Sequence, residues 1–261
     1  MHGKDISQKE VNSIWSKEWS QQYQSKGGSF FAHRLFVEGY PIFKKYIPHG
    51  DSAKKLLDIG GGSGRYGLHI AMDFPSAAII VADIVQESLE LGARTAKEMK
   101  ISNVHFEQQD INAMSYPDGH FDVVFCDVVI QHLPDVTLAM SEMRRVLKDN
   151  GVLIVSTMNQ WNIHTLVKWS VRTFGTYKYG YEKSYRPKEL EQLFTKNNFI
   201  PVSRDGFYPA YGIYRLKSHH QCFAFLGKVL NRITRLADMI SERSISKTFG
   251  FEIFVVGRKK I

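Results

Sequence analysis

Asp58-Ile59-Gly60-Gly61-Gly62-Ser63-Gly64 sets a carboxylate beside a glycine-dense bend. Glycine lets the backbone turn sharply and lets a ligand approach with no Cβ in the way. Two chemistries fit the stretch. Gly62-Ser63-Gly64-Arg65-Tyr66-Gly67 matches G-x-G-x-x-G, a loop that seats a pyrophosphate on helix N–H groups. Asp58-x-Gly60-x-Gly62-x-Gly64 is an acidic pattern instead. A carboxylate there repels a pyrophosphate and favours a ligand carrying positive charge. Asp83 lies about twenty residues past the glycines, where an acid binds the hydroxyls of a nucleoside ribose. Its two oxygens match two vicinal O–H donors. The alternative for Asp83 is to cap a helix over residues 86–99. Asp110 follows a strand-like stretch, Val104 to Gln108, and Asp127 follows an apolar run. An imidazole titrates near neutrality, so His132 is a candidate general base, with His164 and His33 as rivals. The competing role for His132 is that of a structural loop residue.

Such acids need rigid carriers. Leu56, Leu57 and Ile59 form an apolar run too short for a helix, bounded by charge and glycine, as in a buried parallel strand. Leu68, Ile70, Ala71 and Met72 then begin a helical pattern that meets no breaker before Pro75. Further strands are predicted over 77–82, 104–108, 121–130, 152–157 and 200–207, and a seventh over 249–259. A helix with Leu138, Met140, Met143, Val146 and Leu147 on one face ends at Asp149-Asn150-Gly151. Strands alternating with helices predict an α/β fold, whose ligands bind at the carboxyl ends of the strands. Asp58, Asp83 and Asp110 each stand at such an end.

With these motifs the sequence resembles the class I S-adenosylmethionine (SAM)-dependent methyltransferases, in particular the small-molecule and quinone-biosynthesis group. Phe121-Asp122-Val123-Val124, followed by His132-Leu133-Pro134-Asp135, is similar to the stretch after that group's cofactor loop. So is Met143-Arg144-Arg145-Val146-Leu147-Lys148 with Gly151-Val152-Leu153-Ile154-Val155-Ser156. The resemblance implies a Rossmann-like, seven-stranded, mostly parallel sheet with helices on both faces and an antiparallel last strand. It implies an N-terminal helical cap over 1–50 and a methyltransferase domain over 51–261. Inserts interrupt that domain at 158–186 and 208–248, the second being helical and lying between strands six and seven. The cofactor is then SAM, with S-adenosylhomocysteine as product and no metal. Asp58, Gly60, Gly61, Gly62 and Gly64 would form its loop and Asp83 would hold its ribose. Ile84, Asp110 and Ile111 would meet its adenine, and Asp127 and Val128 its methionine part. His132 would lie near the emerging methyl group. The implied reaction is methyl transfer to oxygen or nitrogen of an aromatic, sugar or lipid-linked small molecule. The competing readings are an RNA methyltransferase, suggested by net charge alone, an NAD(P)-dependent oxidoreductase, and a SAM-binding protein without catalysis.

The chain has 261 residues, 43% hydrophobic, with a formal net charge of +8. That length suits one large α/β domain with inserts. The basic balance suits an anionic partner or a plain solvated surface. Only Cys126 and Cys222 occur, which excludes a disulfide framework, and Cys126 reads as a core residue. His219-His220-x-Cys222 lacks further ligands at zinc spacing. No stretch reaches membrane-spanning length, and the first thirty residues lack a signal-peptide core, so a cytoplasmic protein is expected.

The acceptor side is less specified. Val11, Ile14, Trp15, Trp19 and Tyr23 share one helical face, and Phe30, Phe31, Leu35, Phe36, Tyr40 and Phe43 make a second aromatic stretch. Tyr23 and Phe30 are acceptor candidates there, with Trp19 and Phe31 beside them. Trp161, His164 and Tyr177 are candidates in the aromatic insert that leaves the ligand edge after the fifth strand. Phe223, Leu226, Leu230, Ile233 and Ile240 are expected on one helical face, opposite Lys228, Arg232, Arg235 and Arg243. That helix, within 221–241, is predicted to pack on its own domain. The alternatives are an anionic membrane, making the protein peripheral to it, or a second subunit in a homo-oligomer. Nucleic acid is not expected as a partner, because no RNA-binding module accompanies the core.

Overall fold

The computed structural model describes residues 13, 14, 17, 34–48, 54–173, 181–216 and 221–260. The strands are β1 (Lys55–Ile59), β2 (Ala78–Asp83), β3 (Val104–Gln108), β4 (Phe121–Cys126), β5 (Leu147–Met158), β6 (Phe199–Phe207) and β7 (Glu252–Lys259). They form one seven-stranded sheet in the order β3-β2-β1-β4-β5-β7-β6. β1 pairs in parallel with β2 and with β4, whereas β7 runs antiparallel to both neighbours, as expected for the last strand. The chain runs outward from β1 to β3, then crosses back to β4. The crevice beyond the carboxyl ends of β1 and β4 is therefore the ligand position of an open α/β sheet.

Strand parity decides which side chains share a face. Leu56, Val123, Phe125, Ile79, Val81, Val152, Ile154, Phe254 and Val256 belong to one core, together with Tyr66 and Leu68 of α2 (Arg65–Asp73, after α1). α1 (Arg34–Phe43) closes this core with Phe36, Tyr40 and Phe43. Phe43 packs edge-on to Phe125 and Phe207, with ring centroids at 5.1 and 5.6 Å. Leu57, Ile59, Val124, Cys126, Leu153 and Val155 point the other way, against Met140, Met143, Leu190 and Phe194. Those four lie on α4 (Thr137–Val146) and α6 (Pro187–Lys196); α3 (Gln86–Glu98) joins β2 to β3, and α5 (His164–Thr173) follows β5. Among the described residues no helix is long and apolar enough to cross a membrane.

Several boundaries differ from the sequence reading. The fourth strand stops at Cys126, and Ile130–His132 forms a single 3₁₀ turn. The fifth strand begins at Leu147, because Phe121 pairs with Leu147 before a bulge; Asn150, at φ 62°, sits inside it instead of ending a helix. The insert before β7 contains α7 (Tyr211–Arg215), α8 (Cys222–Ile240) and α9 (Ser244–Phe249), so Phe249 closes a helix and does not open a strand.

α8 is the larger correction. Its buried residues are Gly227, Asn231 and Asp238. Leu226, Ile233 and Ile240 are exposed, while Phe223 and Leu230 are only half-buried. Arg243 lies beyond the helix and turns inward, its Nε donating to Asp205 at 2.8 Å.

Candidate functional site

The glycine loop is bolted to the sheet. Gly60 N–H and Gly61 N–H both donate to Ala82 O, at 2.7 and 3.2 Å. Gly60 holds φ 72°, and a Cβ there would lie 2.2 Å from Val129 Cγ2. A Cβ on Gly61 would meet the Asp58 carboxylate at 2.7 Å. The bend thus requires glycine twice, once for φ and once for the acid beneath it.

By the parity that sorts the two cores, Asp58, Asp83 and Asp127 continue the α1-side face of β1, β2 and β4. Asp58 is buried; its Oδ2 accepts from Gly67 N–H at 3.0 Å and its Oδ1 has no partner. Burial, then the charge of Asp127 and, less strongly, of Asp83, push its carboxyl up to about 8. Asp83 accepts from Gly62 N–H and from Val85 N–H, each at 2.9 Å. Burial raises its carboxyl more than these N–H groups lower it. Asp83 therefore holds the turn before α3 and clamps the glycine loop, while the N-cap position of α3 is Val85, which has no side-chain cap bond. Each of its oxygens keeps acceptor capacity for a hydroxyl.

For Asp127 the sequence leaves backbone and carboxylate both open to a ligand. Its carboxylate turns to Ser156 Oγ, which donates at 2.5 Å, and to the Glu252 carboxyl. Burial raises both acids, Glu252 the more, so the pair shares a proton; the hydrogen bonds from Glu252 and Ser156, and after them the Arg65 charge, offset part of the rise at Asp127. Val128, left-handed at φ 51°, likewise gives its N–H to Ser156 Oγ at 3.1 Å. Asp110 closes a turn, accepting from Asn112 N–H at 2.9 Å, and Ile111 is buried. Ile84 follows β2, and its carbonyl accepts from Gln108 Nε2 at 3.0 Å.

An unpartnered Asp58 oxygen beside two further carboxylates and a loop stripped of Cβ atoms fits a cationic nucleoside. It does not fit a pyrophosphate. Residues 50–198 match the family model described as a methyltransferase domain. The chain belongs to this methyltransferase family. The Bacillus subtilis uncharacterized methyltransferase YcgJ is 34% identical over 99 residues, which is 37% of this chain and 38% of that one. The ubiquinone biosynthesis O-methyltransferase of Bartonella quintana is 27% identical over 157 residues, 58% of this chain and 62% of that one. The match thus spans 38% and 62% of those relatives' lengths. A SAM-dependent methyltransferase of Thermotoga maritima shares the fold, with TM-score 0.65 at 16% identity, covering 96% of this chain and all of that one.

Within the methyltransferase domain, S-adenosylmethionine is the cofactor whose charge the loop fits. Asp58, Gly60, Gly61, Gly62, Gly64 and Asp83 lie together at this loop. Among the described residues there is no cluster of ligands for a metal ion.

His132 is buried, and both ring nitrogens have protein partners. Nδ1 meets Tyr181 O at 3.1 Å, and Nε2 meets Gln131 Nε2 at 3.2 Å. The carbonyl takes only a donor, so Nδ1 carries the proton and Nε2 accepts from the amide. Burial lowers the ring's pKa. Gln131 also accepts from Thr157 Oγ1 and Met158 N–H, and its carbonyl accepts from Lys183 N–H at 2.8 Å. The Gln131-His132 turn therefore ties the end of β5 to residues 181–183. A base needs a free nitrogen for the acceptor's proton, and His132 gains one only by giving up Gln131.

His164 packs edge-on to Phe251, with centroids at 5.1 Å, and Tyr211 packs on the same ring at 4.7 Å. Trp161 instead stands 48% exposed, away from that aromatic group. Tyr23, Phe30 and Tyr177 lie outside the described residues, as do Trp19, Phe31 and His33. Sequence reasoning missed Ser156, Glu252 and Arg65. Arg65 follows Gly64 directly and was open to notice. Glu252 is 125 residues from Asp127, and no spacing relates them.

Proposed function

We propose that the chain transfers a methyl group from S-adenosylmethionine to oxygen or nitrogen of a small acceptor, aromatic or lipid-linked. The observation that carries this reading is the buried, unpartnered Asp58 oxygen among carboxylates at the foot of a glycine cradle. SAM supplies, when bound, an electrophilic methyl on a sulfonium whose departure leaves a neutral thioether. Asp83 orients the nucleoside, the cradle admits it closely, and the buried acids set a field that favours positive charge. The aromatic group of His164, Tyr211 and Phe251 at the same sheet edge offers an apolar wall for an acceptor ring. The Bartonella quintana relative, named for O-methylation in ubiquinone biosynthesis, supports oxygen on a small biosynthetic acceptor.

Calorimetric titration tests the cofactor. SAM is expected to bind, and NAD(P)H is expected not to. The affinity has a defined pH dependence. A carboxyl held at about 8 is protonated near neutrality, and a cation favours its ionised form. SAM affinity therefore rises with pH up to about 8, by at most about tenfold per unit, and then levels. Asp58→Asn should flatten this rise. The ligand-free protein has the opposite trend. Its folded form holds more protons than its unfolded form between about 4 and about 8, so stability from this group falls as pH rises through that window. Tight NAD(P)H binding at the same loop would overturn the assignment.

We assign His132 to positioning residues 181–183. His132→Ala should keep turnover on a phenolic test acceptor within about tenfold, with the pH–rate profile unmoved, because general-base loss costs about 10²–10⁴. A loss of that size, with the basic limb of the profile gone, would restore the base role.

A further inference from the structure

α8 is turned inside out for a helix that packs on its own domain. Its inner arc carries Gly227, Asn231, Thr234 and Asp238. Asn231 Nδ2 donates to Glu38 on α1 at 3.3 Å. Asp238 accepts from Ile245 N–H and Ser246 N–H and from the Ser246 hydroxyl, so the one acid of α8 is spent capping α9. The outer arc carries Phe225, Leu226, Val229, Ile233, Leu236 and Ile240, at helical three- and four-residue spacing, all exposed. Phe225 is 72% exposed and Ile240 89%. Lys228, Arg232 and Arg235 flank this stripe and are exposed as well.

The stripe does not end at α8. Gly227 brings α8 against α7 so closely that a Cβ would lie 2.7 Å from Tyr214 Cα. Gly212 brings α7 against the start of α5, where a Cβ would lie 2.8 Å from both His164 N and Ile163 Cγ2. On and before α5, Trp161, Ile163, Leu166 and Trp169 are exposed. α5 follows the carboxyl end of β5, and α7 follows that of β6. The apolar surface therefore hangs from the edge of the sheet that holds the cofactor loop. α5, α7 and α8 together contain one acid, the buried Asp238.

We propose that the outer face of α5, α7 and α8 docks on an anionic phospholipid bilayer. Apolar anchors sink to the acyl boundary while Lys228 and Arg232 meet the headgroup charge, Arg235 being paired with Glu38 at 3.4 Å, the pattern of a helix lying in the membrane interface. Charge complementarity selects this occupant: a face whose three helices expose bases and no acid, with Glu38 of α1 beside it already paired to Arg235, repels a second copy of itself but attracts an anionic leaflet. On the reading of the site given above, docking sets the acceptor pocket beside the bilayer, which suits an acceptor drawn from lipid.

Co-sedimentation of the full chain tests this, with vesicles of phosphatidylcholine alone and of phosphatidylcholine mixed equally with phosphatidylserine. Binding is expected to the mixed vesicles and to weaken with salt. Phe225→Asp with Ile233→Asp should reduce partitioning at least about tenfold. Lys228→Gln and Arg232→Gln should each reduce it about fivefold. All four substitutions are at exposed positions, and SAM calorimetry on each variant reports whether the fold is kept. Absence of wild-type binding to the mixed vesicles, or equal binding by the variants, would overturn the proposal. So would a wild-type dimer that Phe225→Asp with Ile233→Asp converts to monomer. Vesicle binding without SAM binding would leave this proposal standing and remove the methyltransferase reading instead.

Discussion

Asp83→Ala is expected to weaken SAM binding about a hundredfold and also to lower the melting temperature of the ligand-free protein. The carboxylate has two tasks, one in the fold and one toward the ligand. It accepts from Gly62 N–H and Val85 N–H, fixing the loop and the turn after β2. It retains acceptor capacity for two ribose hydroxyls. Hydrogen bonds to a charged group contribute about 1.5–3 kcal/mol each, and about 1.4 kcal/mol is tenfold in affinity. Losing the ribose contacts alone accounts for a hundredfold. Burial holds the carboxyl above its ordinary range and so offsets part of what the two N–H bonds contribute to the fold, but Ala leaves both donors without a partner. Asp83→Asn, which keeps one acceptor, should lie between Ala and wild type. Calorimetry beside thermal unfolding checks both parts. An affinity within about threefold of wild type would remove Asp83 from the ribose site.

Gly60→Ala should act on the fold as well as on binding. At φ 72° an alanine pays for the left-handed conformation, about 1–2 kcal/mol. Its Cβ would overlap Val129 Cγ2 at 2.2 Å, and relieving such overpacking costs about 1–3 kcal/mol more. For a chain of this size each kcal/mol lowers the melting temperature by about 2–4 °C, so a drop of about 5–15 °C is expected. The two contributions can be separated. Val129→Ala in the Gly60→Ala background removes the overlap and leaves the φ penalty, so the double variant should melt above the single one. An unchanged melting temperature in Gly60→Ala would mean that the loop moves freely away from Val129.

The loop and its acids were legible in sequence because local chemistry dictates them. Glycine at positive φ has no cheap substitute, and an acid after a buried strand stands out against its neighbours. Strand parity carried more than the motif itself. Val81 and Asp83, Phe125 and Asp127, Ile154 and Ser156 are each two residues apart, so each polar residue continues the inner face of its strand. Glu252 stands in the same relation to Phe254. What parity does not give is that Glu252 meets Asp127, since β7 reaches that edge only by running antiparallel beside β5. The direction taken by the Asp127 carboxylate depends on that pairing.

His132 and α8 mark the limit of local reading. A histidine after a strand in a methyltransferase-like motif looks poised for proton transfer. Its partners, Tyr181 O and the Gln131 amide, come from a contact 49 residues away and from a neighbour's rotamer. For α8 the three- and four-residue spacing was visible, but such spacing tells only that the two sides of a helix differ. Which side turns inward was decided by Glu38, by the N-terminus of α9 and by the close approach of Gly227 to Tyr214.

The amino-acid sequence thus determined the strands, the glycine cradle and the acids that end the strands, because each follows from backbone sterics and burial within a few residues. The tertiary structure alone decided which acids share a proton, which ring nitrogens are taken, and which side of α8 meets solvent. Those outcomes depend on groups brought together across the sheet, where burial and a neighbour's charge outweigh any preference the residue has by itself.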